Sequence, residues 1–129
     1  MLKSLSSRKL PAQQSPLQPN FDWQRLNQLA DEDPGFAIEL LAMFLKDTES
    51  SLRGLERAIA IQSLQAIADT AHTIRGASAN VGAISVSTVA IQLEEAAGSG
   101  DMTEVTRLLH LLHEQCNKLR AELSAKQIA

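Results

Sequence analysis

Aromatic residues, glycine and proline are scarce in this sequence of 129 residues, which has no Tyr, one Trp, three Phe, six Gly and four Pro. Sheet-rich domains take their strands and turns from these residue types, so the composition argues against such a domain. The few glycines also leave little material for a phosphate-binding loop, and no Gly-x-x-x-x-Gly-Lys-Ser/Thr run occurs. We therefore expect a protein without ATP-binding machinery.

Cysteine is nearly absent, and long hydrophobic runs do not occur. The single cysteine, Cys116, cannot form an internal disulfide. The sequence has neither a membrane-spanning run nor the continuous apolar stretch of a secretory signal. These absences lead us to expect a cytoplasmic location.

Positive charge is depleted from most of the chain, although the net charge is only −3. Residues 1–20 hold Lys3, Arg8 and Lys9 and no acid, so residues 21–129 carry nine basic residues against fifteen acidic ones. An acidic body lacks the clustered basic face that nucleic-acid binding requires. Three basic residues spread over the first twenty are too sparse to indicate a membrane surface. We expect a monomer that binds neither nucleic acid nor membrane.

Helical signals begin at Phe21 and never give way to strand alternation. Residues 1–20 contain three prolines and read as a flexible N-terminal tail, whereas residues 21–127 read as one domain. Asp33-Pro34, Ser63 and Asp101 are start signals, and Gly82 and Gly98 are stop signals. The apolar spacing predicts helices over 22–30, 34–60, 64–81, 85–97 and 102–123.

Four long helices joined by short loops run antiparallel to their sequence neighbours. The expected fold is therefore all-α, an antiparallel up-down-up-down four-helix bundle with an extra short N-terminal helix. A helix bundle implies no particular chemistry, so function has to be argued from a site.

The third helix carries an unusual arrangement around His72, which lies at the edge of the apolar stripe. Residues three, four and seven positions away cover it on a helix, and these are Ala68, Asp69, Arg75, Gly76 and Ala79. Gly76 lies inside the predicted third helix, where a glycine destabilises the helix by about 1 kcal/mol relative to alanine. This cost indicates that an approaching partner needs the space that a side chain at position 76 would fill.

Two interpretations of this arrangement remain open from the residues alone. Neutral imidazole is a nucleophile near neutral pH, and Arg75 could offset the charge of an anion attached to His72, which fits phosphoryl transfer onto histidine. Alternatively, His72 is an ordinary surface residue, and Gly76 only lets two helices approach closely.

The run from His72 to Gly82 resembles the signature of histidine-containing phosphotransfer (HPt) domains of multistep two-component phosphorelays. That pattern is a His, an aliphatic residue two positions later, Lys or Arg followed by Gly, small residues and an aliphatic-Gly pair. The resemblance covers roughly residues 21–123, since the family is likewise a four-helix bundle with an extra N-terminal helix. It implies that His72 is the phosphoacceptor, that Arg75 supports the phosphoryl charge, and that Gly76 keeps access open for a receiver domain.

The function implied by this resemblance is that of a phosphoryl carrier and not of an enzyme. His72 would accept a phosphoryl group from the aspartyl phosphate of one receiver domain and pass it to the aspartate of another. The partners implied are response-regulator receiver domains and a hybrid sensor histidine kinase. No cofactor is expected on this chain, because the divalent metal belongs to the receiver. The alternative is a helical adaptor that binds partners without phosphorylation.

Two departures from the family pattern occur in this sequence. Arg75 stands where the family usually has Lys, which keeps the charge and changes the geometry. The Ile61-Gln62 loop lacks the Gly-Asp that often precedes the helix of the histidine.

Helix register suggests which residues surround His72. Folding the third helix back near Ala83 places His72 level with about residue 94, so the candidates for orienting the imidazole are Gln92, Glu94 and Glu95. A solvated acidic face stays open as the alternative. The predicted partner-docking residues are Ala68, Asp69, Arg75 and Ala79, together with residues 50–54 of the second helix.

Metal-ligand residue types recur on the last helix at His110, His113 and Cys116. Steps of three drift around a helix, and Cys116 falls in the core stripe, where a free cysteine packs as a small hydrophobe. Structural zinc normally has four ligands, so we expect no metal site here.

Overall fold

The structure, a computed structural model, describes residues 21–128, and over this range the chain forms five α-helices and no strand. The helices are α1 (Trp23–Leu29), α2 (Pro34–Ala60), α3 (Leu64–Val81), α4 (Ile84–Ser99) and α5 (Met102–Ile128). The predicted N-terminal tail lies outside the described residues. No helix of the described part is long and apolar enough to cross a membrane.

Side-chain caps explain where four of the five helices begin. Each cap accepts a hydrogen bond from the backbone amide three residues later, at 3.0–3.2 Å, and the caps are Asp22, Asp33, Ser63 and Asp101. Such a bond satisfies an amide that has no partner within the helix. Helix α4 follows Ala83 without a side-chain cap, so its start depends on the preceding turn.

The end of α4 corrects the prediction that Gly98 stops this helix. Gly98 is helical, and the left-handed residue is Gly100, with a φ of 74°. The amide of Gly100 donates to Ala97 O at 3.1 Å, and the amide of Asp101 donates to Ala96 O at 3.0 Å. The reversal therefore directly precedes the residue that caps α5, which lets the next helix start without a linker.

The four long helices form a ring in which each packs against two others. Helix α2 contacts α3 and α5, and α4 contacts the same two helices. Turns of two or three residues join the four helices, so successive helices run antiparallel. The core is filled by aliphatic side chains of all four helices, among them Leu41, Leu55, Ile67, Ile74, Val86, Leu93, Leu108 and Leu112. The prediction of an up-down-up-down four-helix bundle is confirmed.

Helix α1 covers one end of the bundle. Leu26 is fully buried, and the amide of Asp22 donates to Gly82 O at 2.7 Å. Arg25 Nε donates to Asn80 O at 3.0 Å. These bonds tie α1 to the turn between α3 and α4.

Candidate functional site

His72 lies on the outer surface of α3, on the side that faces α4. Its chain neighbour Ala71 and the next core residue, Ile74, are buried. Because each residue turns a helix by about 100°, burying these two positions directs residue 72 outward. The side chain of His72 is 61% exposed, which is accessible enough for a partner to reach.

The imidazole is held through one nitrogen by residues of two helices. Nδ1 of His72 lies 3.1 Å from Glu94 Oε2 and 2.8 Å from Arg75 Nη2. Arg75 Nε lies 3.4 Å from Glu94 Oε1, which completes a triangle of contacts. Within residues 21–128, Nε2 of the ring has no hydrogen-bond partner. The ring therefore presents Nε2 to solvent.

Only one of the three predicted imidazole-orienting residues reaches the ring. Glu94 is half-buried between α3 and α4, whereas Gln92 and Glu95 are exposed and make no described contact with His72. The rotation of about 100° per residue turns positions 92 and 95 away from α3 when position 94 faces it. His72 therefore stands level with residue 94, as the helix register predicts. Gln92 and Glu95 are not in place to orient the imidazole.

Gly76 is exposed, and a Cβ atom added there would have no heavy atom within 4 Å. The glycine therefore does not serve close packing of two helices in the described part of the chain. This contradicts the interpretation that Gly76 only lets two helices approach. The open space lies one helical turn from His72, so it widens access to the ring from outside.

The predicted docking residues form part of one surface around His72. Asp69 and Ala79 are exposed, and Ala68 and Arg75 are half-buried. On α2, Ser51 and Gly54 lie in a shallow cleft between α2 and α3, whereas Ser50 is exposed outside it. The cleft brings this part of the predicted α2 segment alongside Asp69.

Sequence reasoning missed two residues of this cleft and two exposed apolar residues of α4. Thr70 and Thr73 line the cleft between α2 and α3. The available signal was that Thr73 lies three residues after Thr70 and four after Asp69, which makes it a helical neighbour of both. On α4, Ile84 and Ile91 are 44% and 40% exposed. Their spacing of seven residues puts them on one side of α4, outside its core stripe, and this pattern could have marked an exposed apolar strip.

The metal-ligand residue types on α5 have other roles in the structure. His113 Nε2 lies 3.0 Å from Glu56 Oε2, and His110 is exposed. Cys116 is buried, and burial raises the pKa of its thiol to about 11. No group of three or more His, Cys, Asp or Glu residues in the described part of the chain is arranged to hold a metal ion.

Comparisons with known proteins converge on one family. The family model described as Hpt domain matches residues 39–122. Histidine-containing phosphotransfer protein B of Pseudomonas aeruginosa PAO1 is similar in structure, with a TM-score of 0.78 and 28% sequence identity over 86% of this chain and 97% of that chain. No curated protein matches the sequence.

A rice protein described as a histidine-containing phosphotransfer protein is also similar in structure. Its TM-score is 0.75, with 21% identity over 83% of this chain and 79% of that chain. At this identity the likeness shows a shared helical-bundle fold.

Proposed function

This chain belongs to the Hpt domain family, the phosphocarriers of two-component phosphorelays, and we propose that it carries phosphoryl groups between receiver domains on Nε2 of His72. The observation that carries this assignment is the holding of the ring through Nδ1, at 3.1 Å from Glu94, with Nε2 outward. A nucleophile needs a lone pair that faces its electrophile, and Nε2 offers one on an open surface whenever the ring hydrogen is on Nδ1, beside Glu94.

The proposed transfer begins with attack of the Nε2 lone pair on phosphorus of a receiver aspartyl phosphate. A nitrogen–phosphorus bond forms while the bond between phosphorus and the aspartyl oxygen breaks, and the aspartate leaves as a carboxylate with the electron pair. The ring keeps its proton on Nδ1 and becomes a cation opposite the Glu94 carboxylate. The reverse of this step on a second receiver returns the ring to its neutral form.

Arg75 and the receiver supply the charge that this step needs. The Arg75 guanidinium lies beside the ring, with Nη2 at 2.8 Å from Nδ1, and an arginine can hold phosphoryl oxygens through several N–H donors. The divalent metal that assists the chemistry would be bound by the receiver. A hybrid sensor histidine kinase would supply the first phosphorylated receiver.

The receiver would dock on the face that surrounds His72. The predicted docking residues Ala68, Asp69, Arg75 and Ala79 border the ring, and the cleft between α2 and α3 extends that face. A flat helical surface of small side chains suits an interface at the small end of the usual size range, which permits rapid release.

The phosphoacceptor can be identified by labelling with a phosphorylated receiver and, separately, with phosphoramidate, a small phosphoryl donor that needs no docking. We expect an acid-labile, base-stable label on the wild type and none on His72→Gln. The matched control is His113→Gln, because His113 is also half-exposed and also paired with a glutamate. This control should label like the wild type.

Two outcomes would contradict the proposal. A wild-type protein that takes no label from either donor is not a carrier, and if it still binds receivers it is the helical adaptor instead. A label that persists at full level on His72→Gln places the phosphoacceptor elsewhere.

A further inference from the structure

Arg75 and Glu94 make contacts with Nδ1 of His72 that a neutral ring cannot satisfy together. A ring nitrogen of neutral imidazole carries either a hydrogen or a lone pair in the plane of the ring. The Glu94 carboxylate at 3.1 Å only accepts, so it needs a hydrogen on Nδ1. The Arg75 guanidinium at 2.8 Å only donates, so it needs a lone pair on Nδ1. The two side chains therefore favour opposite tautomers of His72.

The tautomer decides whether the exposed nitrogen can react. With the hydrogen on Nδ1, the form that Glu94 favours, Nε2 has a free lone pair and faces outward. With the lone pair on Nδ1, the form that Arg75 favours, Nε2 carries the hydrogen and is not a nucleophile. Nδ1 itself is contacted by both Arg75 and Glu94, so Nε2 is the nitrogen that a partner can approach.

We propose that Arg75 holds His72 largely in the unreactive Nε2–H tautomer in the free protein and releases it when a phosphoryl anion draws the guanidinium away. This inference rests on the proposed carrier function. A guanidinium binds an anionic phosphoryl group more strongly than a neutral ring nitrogen, so the arrival of the phosphoryl group competes directly with the contact to Nδ1. Glu94 is then the group left at Nδ1, and the ring takes the Nδ1–H form. Solvent removes a proton from Nε2 and returns one to Nδ1, so the ring stays neutral.

The guanidinium of Arg75 has several nitrogen atoms, and this is what allows it to link phosphoryl binding to the tautomer of His72. Nη2 of Arg75 contacts His72 while Nε lies 3.4 Å from Glu94 Oε1, so one side chain binds both groups at once. A lysine has a single ammonium nitrogen, which prefers the charged carboxylate over the neutral ring. The arginine at position 75 therefore couples phosphoryl binding to the tautomer, and Arg75→Lys uncouples them while keeping the charge.

The tautomer ratio can be measured by long-range proton–nitrogen NMR on the full chain with ¹⁵N-labelled histidine, at about pH 9, where histidine rings are neutral. The signals of His72 are assigned from His72→Gln. We expect mainly the Nε2–H form in the wild type. Arg75→Ala and Arg75→Lys should shift the ratio about two- to tenfold toward Nδ1–H, the equilibrium effect of one hydrogen bond, and Glu94→Ala should shift it the other way.

The matched control is Arg107→Ala, which removes an exposed arginine paired with Glu104 at 2.8 Å on α5 and should leave the ratio unchanged. A purely structural role for Arg75 would change the melting temperature and not the ratio. The inference is overturned if the ratio in Arg75→Ala equals that of the wild type, or if Arg75→Ala and Glu94→Ala shift it in the same direction.

A kinetic measurement separates this inference from the carrier function. With phosphoramidate as donor, Glu94→Ala should be phosphorylated more slowly by at least the factor by which its Nδ1–H fraction falls, because the Glu94 carboxylate also faces the cation that the ring becomes. A slower rate without a change of tautomer overturns the inference and leaves His72 as the phosphoacceptor. If no variant forms phosphohistidine, the carrier proposal fails, and the NMR ratio still decides what Arg75 does to the ring.

Discussion

Nε2 of His72 faces outward because the neighbours of the ring are arranged unequally around it. The Glu94 carboxylate and the Arg75 guanidinium occupy the Nδ1 side of the ring. The outward side has only the bare backbone of Gly76 one turn away, where nothing lies within 4 Å of an added Cβ atom. The site therefore has a charged group on each side of the inner nitrogen, Nδ1, and open space at Gly76 on the outward side.

Substitutions at Gly76 should separate stability from access. Gly76→Ala is expected to raise the free energy of unfolding by about 0.5–1 kcal/mol, because alanine is the better helix former and meets no neighbouring atom. Gly76→Gln is expected to slow phosphoryl transfer from a receiver by more than about tenfold, while the rate with phosphoramidate stays near that of the wild type. The loss arises from a long side chain within the surface that the receiver must cover.

Urea unfolding and single-turnover transfer measure the two effects of these substitutions. Ala121→Gln, at an exposed position on α5, is the control for adding a long polar side chain elsewhere on a helix. Equal transfer rates for Gly76→Gln and Ala121→Gln would contradict the role of Gly76 in access.

The positions of the helix ends determine how α3 and α4 are placed against each other. Gly82 ends α3 with a φ of 88°, and its carbonyl accepts the amide of Asp22 from the N-terminal helix. The short turn fixes the register in which His72 and Glu94 stand level. At the other end of α3, Gln62 adopts a φ of 55° although it is not glycine.

Gly82→Ala should destabilise the protein by about 2–4 kcal/mol. A left-handed backbone costs a residue with a Cβ atom about 1–2 kcal/mol, and this Cβ would lie 2.6 Å from Asp22 O and 3.2 Å from Arg25 Cβ. Gln62→Gly tests the opposite case, because it removes the side chain from a residue with a left-handed backbone. It should raise the free energy of unfolding by about 0.5 kcal/mol. Urea unfolding midpoints compare the two, and a Gly82→Ala protein as stable as the wild type would show that α1 does not depend on this turn.

The bundle as a whole excludes solvent from its interior, and Cys116 reports on this. Burial raises the pKa of its thiol from 9.0 to about 11. Because the thiolate is the reactive form, the thiol is protected both by packing and by remaining protonated. Cys116 forms part of the lining of a cleft between α2 and α5 but is only 1% exposed, so a reagent reaches it only when the bundle opens further at this cleft.

A thiol reagent at neutral pH should label Cys116 far more slowly in the native protein than in denaturant, at a rate that follows the opening of the bundle. The unfolded thiol ionises first, near pH 9.0, and the folded thiol ionises only near about 11. Stability is therefore expected to fall as pH rises through this window. Cys116→Ala should remove that part of the decline, and equal labelling rates for native and denatured protein would contradict a closed core.

Much of the fold follows from local signals. The apolar spacing placed His72 at the edge of the stripe that α3 buries, and the start signals at Asp33, Ser63 and Asp101 are the observed caps. Such features depend on residues within about one helical turn, which is why the sequence reveals them. The end of α4 was misplaced because two glycines lie close together, and only the start of α5 determines which of them reverses the chain.

The sequence by itself determined the helices, the outward position of His72 and the family signature that follows it. Only the tertiary structure decided that Glu94, and neither Gln92 nor Glu95, reaches the ring, that Gly76 faces open space, and that Arg75 and Glu94 meet at the same nitrogen. The physical reason is that these contacts depend on how α3 and α4 are rotated and shifted against each other. A displacement of about 1.5 Å, the rise of one residue, would bring a different side chain to Nδ1.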